Sequence, residues 1–249
     1  MSLAILQAAQ LALLDEAASV QGGWRVRASV RARRLTVRVF PGGQVEIVVP
    51  KGTRPRAVEQ FVARYRPWID RKVAQYLPLE PASGNRLPEA IHFRASDEHW
   101  PVDCVEAPGA PRLTVEGTRL ALRGDLSRTV LARHALQRFT MRRAHAILVP
   151  QLQRLSGECA LPYARAQIRR QRTRWGSCSR RGTISLNASL LFQPPEVVRY
   201  LLLHELAHTR HMNHSRRFWT LVGQLEPRWR ELDVELSRGW REVPAWVLR

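Results

Sequence analysis

The sequence predicts an α+β protein: an N-terminal antiparallel β-rich subdomain, then a mainly helical domain in which a β-hairpin lies beside a histidine-bearing helix. Three observations carry this expectation. Apolar residues alternate at period two between positions 24 and 50. The spacing changes to the three-to-four period of helices at 53–77, from 127 to about 155, and from 194 onward. Two strand-like arms flank a Gly/Ser-rich turn within 166–191, directly before the last of these helices.

Taken in order, the apolar opening "LAILQAAQLALL" reads as a helical extension over 1–20. It has no basic leader and is too short to span a bilayer, so neither an export signal nor a membrane anchor is expected. Val26, Ala28, Val30 and Ala32, then Leu35, Val37 and Val39, and after "PGGQ" Val45, Ile47 and Val49, predict a β-meander with arginines on its solvated face. Thr53 as a cap and Pro55 in the first turn open a helix with Val58, Phe61, Val62, Tyr65, Ile69 and Val73 at helical spacing, which Pro67 should kink or split. The proline-rich stretch 78–90 is a soft boundary, and "RLTVEGTRLALR" at 112–123 a hairpin. The β-rich subdomain is thus drawn over 21–125 and the helical domain over 126–249. In the helix from Ser127, the residues Val130, Leu131, Phe139, Ile147, Leu148 and Leu152 are expected to face inward, with a bend at Pro150. Pro194 and Pro195 open the next helix at the position where proline is favoured.

Composition bounds the function. With 249 residues, 45% hydrophobic and 24% charged, the chain is an ordinary globular one that needs no staples. Its three cysteines, Cys104, Cys159 and Cys178, are scattered and odd in number, which suits neither a disulfide framework nor a cysteine zinc cage and points to a reducing cytoplasm. A net charge of +19 draws polyanions, although all basic residues except Lys51 and Lys72 are arginine, a bias that base composition alone can produce.

Chemistry concentrates in "LLLHELAHTRHMNHSRRFW", residues 201–219, which holds four of the eight histidines. On a helix His204 and His208 lie about 6 Å apart along the axis and roughly 40° apart in azimuth, so both rings can reach one ion. Glu205 stands about 100° round the same turn, near enough to act on a water at the ion without binding it. In this HExxH arrangement, that of zincins, zinc acidifies the water and polarises the scissile carbonyl while the glutamate moves the proton.

A third protein ligand is needed. A continued helix would carry His214 about 15 Å beyond His204, so the chain must turn after His208 if His214 is to join it. Asn213 is expected to take the left-handed conformation there, and Ser215 to cap the following helix. Glu226 and Glu231, at the spacing of a gluzincin's helical glutamate, and His211 compete for the role.

At this point "TRWGSCSRRGTISLNASLLFQPPEVVRYLLLHELAHTRHMNHSRRFW" resembles the YgjP-like metallopeptidase domain family, related to SprT-like zincins. The likeness is strong over about 165–220 and weaker in "VRARRLTVRVFPGGQVEIVVPKG" and "FVARYRPWIDRKV"; 82–112 and the first 20 residues fit poorly. The resemblance implies a zincin-like domain, zinc at His204, His208 and His214, Glu205 as general base, and a signature hairpin made of "RWGSC" and "ISLN". Arg172, Arg174 and Asn187 are the candidate substrate-binding residues, the arginines steadying an oxyanion or anionic group. Trp175 reads as packing under the site, Phe218 and Trp219 as core, and Cys178 as a neutral thiol. The resulting expectation is a zinc metallopeptidase acting on peptide or protein. Two alternatives stay open. Seven arginines and no acid over 165–181 would suit a nucleotide or phosphoanhydride substrate. The arginine strands at 25–38 would suit a zinc-stabilised nucleic-acid-binding protein, or a peptidase recruited to nucleic acid as SprT-like proteins are.

Overall fold

The structure is a computed structural model that describes residues 19–21, 24–77 and 86–248. The chain divides into two compact units, Met1–Leu79 and Glu80–Arg249. The helix expected over 1–20 falls outside the described residues except at Ser19 and Val20, which are strand.

Among its described residues the first unit is a sheet of β1 (Ser19–Gln21), β2 (Trp24–Ser29), β3 (Thr36–Val39) and β4 (Val45–Pro50), ordered β1-β2-β4-β3, with one helix, α1 (Pro55–Tyr76). The expected antiparallel meander is corrected here: β2 pairs in parallel with β4, Val26 opposite Ile47, and β3 lies on the far side of β4. The reason is burial. Five of the six residues of β4 are buried, so it takes the centre of the sheet, where both its edges are paired. Val26, Ile47 and Val49 pack against Val58 and Val62 of α1, and Val39 and Val45 against Ile69. Pro67 neither splits α1 nor ends it. Thr53 is not its cap, because its hydroxyl donates back to the Pro50 carbonyl at 2.8 Å.

Among its described residues the second unit has two sheets. β5 (Ala90–Phe93), β6 (Glu98–Glu106), β7 (Arg112–Glu116) and β8 (Arg119–Gly124) are ordered β5-β6-β8-β7, and the expected β7–β8 hairpin turns at Gly117, whose φ is +61°. β9 (Arg165–Arg169), β10 (Gly176–Cys178) and β11 (Thr183–Asn187) are ordered β10-β11-β9, which leaves β10 as an edge strand. Helix α2 (Thr129–Glu158) runs through Pro150 and buries Ala132, Ala135, Leu136, Phe139, Leu148 and Leu152. Val130 and Leu131 are exposed, contrary to expectation: they stand in the first turn of the helix, ahead of Ala132, where its buried residues begin.

Helix α3 (Pro195–Ala207) is apolar nearly all round, as a helix enclosed by neighbours must be. It packs against α2, β10, α4 (Arg216–Leu225) and α5 (Trp229–Arg238), and a last short helix, α6 (Ala245–Leu248), closes on α2. Among the described residues no helix is long and apolar enough to cross a membrane.

Candidate metal centre

The centre is built at the C-terminal end of α3. Pro194 and Pro195 start the helix, three consecutive leucines bury it, and His204 and Glu205 fall on its last turn with His208 as its C-cap. There the chain tightens: the Thr209 N–H donates to the Leu206 carbonyl and the His211 N–H to the Ala207 carbonyl. Ser215 then caps α4, its hydroxyl accepting from the Phe218 N–H at 3.5 Å. Asn213 is not left-handed, because among the described non-glycine residues only Asp97 and Ala160 have positive φ; short helical turns make the reversal instead.

The reversal brings three imidazoles together. Ring centroids of His204, His208 and His214 are separated by 5.0, 5.1 and 4.7 Å, and one nitrogen of each lies within 4.8 Å of the others. Nε2 of His204 and Nε2 of His214 are 3.1 Å apart. The competing donors are elsewhere: Glu226 is paired with Arg199 at 2.8 Å and Glu231 with Arg228 at 3.1 Å. His211 contributes its backbone, the carbonyl accepting from Nδ1 of His208 at 3.1 Å. That bond leaves Nε2 as the atom His208 offers the cluster.

These residues fit a divalent ion. Two nitrogens at 3.1 Å have room for a proton or a cation between them, and a tetrahedral ion with bonds of about 2.0–2.1 Å separates its nitrogen ligands by ~3.3 Å. Burial, reinforced by the charges of His208 and His214, pushes His204 down to about 3, so it is neutral and able to ligate near neutral pH. Burial likewise lowers His208, against the His211 carbonyl, which raises it. Aromatic walls hold the rings: Phe218 is stacked on His208 with centroids 4.4 Å apart, and Trp219 on His214 at 5.4 Å. Phe218 is core as expected, whereas Trp219 is half-buried and backs His214, stacked in turn on Trp229 at 4.4 Å.

Glu205 faces β10. It is 4% exposed, and its Oε2 is buried with no hydrogen-bond partner. Burial lifts its carboxyl to about 8, against the pull of the Arg174 charge. A carboxylate so placed lacks something to bind, and protons or a cation would satisfy it. Cys178 is held as a thiol, pushed up to about 11 by burial and then by Glu205.

Arg174 and Arg172 are exposed on the loop between β9 and β10. Asn187 is 1% exposed, and its amide is spent within the protein: Nδ2 donates to the carbonyls of Gln171 (2.7 Å) and Arg174 (2.8 Å), and Oδ1 accepts from the Ser189 N–H (3.0 Å). It therefore pins the arginine loop to β11 and has no polar atom left for a substrate. Trp175 packs beneath the site, stacked on Trp240 at 4.0 Å.

Three further residues complete the surroundings of this cluster, none of them assigned a role there from the sequence. Gly176 lies against the Glu205 carboxylate, Tyr200 touches His204 through its hydroxyl, and Asp233 accepts from that hydroxyl. Tyr200 carried a hint, standing four residues before His204 on the same helix, and so did Gly176, in the RWGSC arm of the signature hairpin.

The chain is similar to two metallopeptidase zymogens of known crystal structure. Abylysin of Pyrococcus abyssi is 27% identical over 35% of this chain and 89% of that chain, with a TM-score of 0.33. Jannalysin of Methanocaldococcus jannaschii is 18% identical over 36% and 92%, with a TM-score of 0.32. No curated protein matches the chain. Residues 33–239 match the model of the YgjP-like metallopeptidase domain. A match over most of the chain places this protein in the YgjP-like metallopeptidase family, and so among the metal-dependent peptidases.

Proposed function

We propose that the protein is a zinc-dependent peptidase of HExxH type in which His204, His208 and His214 hold the ion and Glu205 is the general base. One observation carries the reading: three imidazole nitrogens gather within 4.8 Å beside a buried carboxylate oxygen that the protein leaves without a partner. A donor set made of neutral imidazoles suits zinc, and three protein ligands leave a fourth position open, as in catalytic rather than structural sites. Zinc in that place would supply Lewis acidity to a water and to the scissile carbonyl. Glu205 takes the water's proton on its unpartnered oxygen and delivers it to the leaving amine; its burial keeps competing water away from that oxygen. β10, an edge strand beside Glu205, offers main-chain groups to an extended peptide. Arg174, held by Asn187, brings a positive charge to the same side of the site, where it would steady the oxyanion. The three thiols are free, in keeping with a cytoplasmic location.

The experiment is zinc analysis and turnover of wild type and Glu205→Gln on a peptide library, with nucleoside triphosphates assayed in parallel. Peptide cleavage in the wild type, and a Glu205→Gln variant that keeps zinc but is inactive, is the expected result. A Glu205→Gln protein with normal turnover removes the general base, and hydrolysis of the triphosphates alone removes the peptidase.

A further inference from the structure

Tyr200 is fully buried, yet it carries a hydroxyl at the edge of the histidine cluster. Being four residues before His204 on α3, it lies on the same helix face one turn away. Its hydroxyl donates to Oδ1 of Asp233, on α5, at 2.8 Å, and lies 3.4 Å from Nδ1 of His204. A phenol has one proton and a carboxylate oxygen can only accept, so the proton of Tyr200 goes to Asp233. The hydroxyl oxygen then has only lone pairs to offer His204. Nδ1 of His204 must therefore carry its hydrogen, which leaves the lone pair on Nε2, the atom 3.1 Å from Nε2 of His214. His208 reaches the same state by another route, through the His211 carbonyl.

We infer that Tyr200 and Asp233 are a positioning pair that fixes the tautomer and ring orientation of His204 and so presents its Nε2 to the metal. The inference rests on His204 being a ligand, as proposed above. The pair ties α3 to α5 at the point where the helix meets the ion, and it makes a residue 29 positions downstream of the histidine part of the site's chemistry. Partners of this kind typically carry 10–100-fold in metal affinity.

The test uses the full chain. Long-range proton–nitrogen correlation spectra of the metal-free protein at neutral pH report which nitrogen of His204 bears hydrogen, with His204→Ala providing the assignment. Wild type should show the Nδ1–H form. In Asp233→Ala the freed hydroxyl can turn its proton to Nδ1, and His204 should move to the Nε2–H form. Zinc affinity, read by competition with a chromophoric chelator, should fall about 10–100-fold in both Tyr200→Phe and Asp233→Ala. Asp233 is exposed, so Asp233→Ala tests the pair even where Tyr200→Phe folds poorly. An unchanged tautomer at His204 in Asp233→Ala overturns the pair, whatever the affinities. A wild type that takes up no zinc overturns the metal reading instead, and the spectra still report on the pair.

Discussion

A methyl group placed on the Cα of Gly176 would sit 2.6 Å from Oε1 of Glu205 and 2.9 Å from its Cδ and Cγ. Gly176 opens β10 opposite Leu186, so the backbone there is anchored by strand pairing, and the glutamate is the partner that must move. Glu205 is itself buried, which limits its retreat. The Gly176→Ala variant should therefore displace the proposed base while leaving the three histidines in place. A misplacement of about 1 Å costs on the order of 10²-fold in turnover. Peptidase assays should show a loss of that order in kcat, and a zinc titration should show affinity within a few-fold of wild type. Unchanged kcat would mean that Glu205 has room to step aside without chemical consequence.

The third ligand separates the imidazole reading from a glutamate one. His214→Ala should weaken zinc binding by orders of magnitude, whereas Glu226→Ala should change it by no more than a few-fold, because Glu226 is committed to Arg199. Metal removal has a thermal counterpart. Zinc at 100 times its Kd adds about 2.7 kcal/mol, and a unit of this size melts roughly 2–4 °C higher per kcal/mol. Calorimetry should show a melting temperature lower by about 5–10 °C in chelator for wild type, and nearly no chelator effect for His204→Ala.

Much of this centre was legible in the chain, and the reason is that its information is local. The HELAH spacing sets two imidazoles and a carboxylate on one helix end by helical geometry alone, and Ser215 before an amphipathic stretch marks where the chain must resume after reversing. What was not legible depends on partners distant in sequence. Alternation marked Val26, Ile47 and Val49 for the core, but it marked Ala28 and Val30 as well, which are exposed, and it could not tell that the two strands would lie side by side in parallel, since period two is the same for either pairing. Val130 and Leu131 read as inward because helical spacing has a phase that only the packed neighbours decide. Gly176 and Asp233 look like an ordinary strand glycine and an ordinary surface acid until the fold sets one against Glu205 and the other against Tyr200.

Acid should loosen the second unit at Glu98. Burial would raise this carboxyl, but hydrogen bonds from Arg143 and the Trp100 indole, with the Arg143 charge, hold it below the usual carboxylate range. A carboxyl with a depressed folded value stabilises the fold fully above the unfolded value, about 4.3, and loses that contribution as pH falls through the folded value. Glu98→Gln should cost about 1–3 kcal/mol at neutral pH. The gap between the two proteins should close as pH drops below about 4. Urea melts at pH 7 and pH 3 check both signs, and a constant gap across that range would deny the ion pair its part.

Asn187 ties stability to chemistry, and Arg174 lets the two be separated. Its amide holds the carbonyls of Gln171 and Arg174 and the Ser189 N–H, so Asn187→Ala leaves two backbone acceptors and one donor short of a partner. At about 0.5–1.5 kcal/mol per bond, the variant should lose on the order of 1.5–4.5 kcal/mol. The loop it releases carries Arg174 and runs straight into Trp175 and Gly176, the residues beneath and beside Glu205. Turnover should therefore fall together with stability. Arg174 is exposed and its side chain packs little, so Arg174→Ala should leave the denaturation midpoint where it is and lower kcat alone. If charge at Arg174 is the reason the loop matters, Arg174→Lys recovers part of the activity in an otherwise wild-type protein. In the Asn187→Ala background the same lysine recovers none, because the loop no longer holds it in place. Additive effects of the two substitutions in a double-mutant cycle would show that Asn187 and Arg174 act independently, and would break the link between the buried amide and the site.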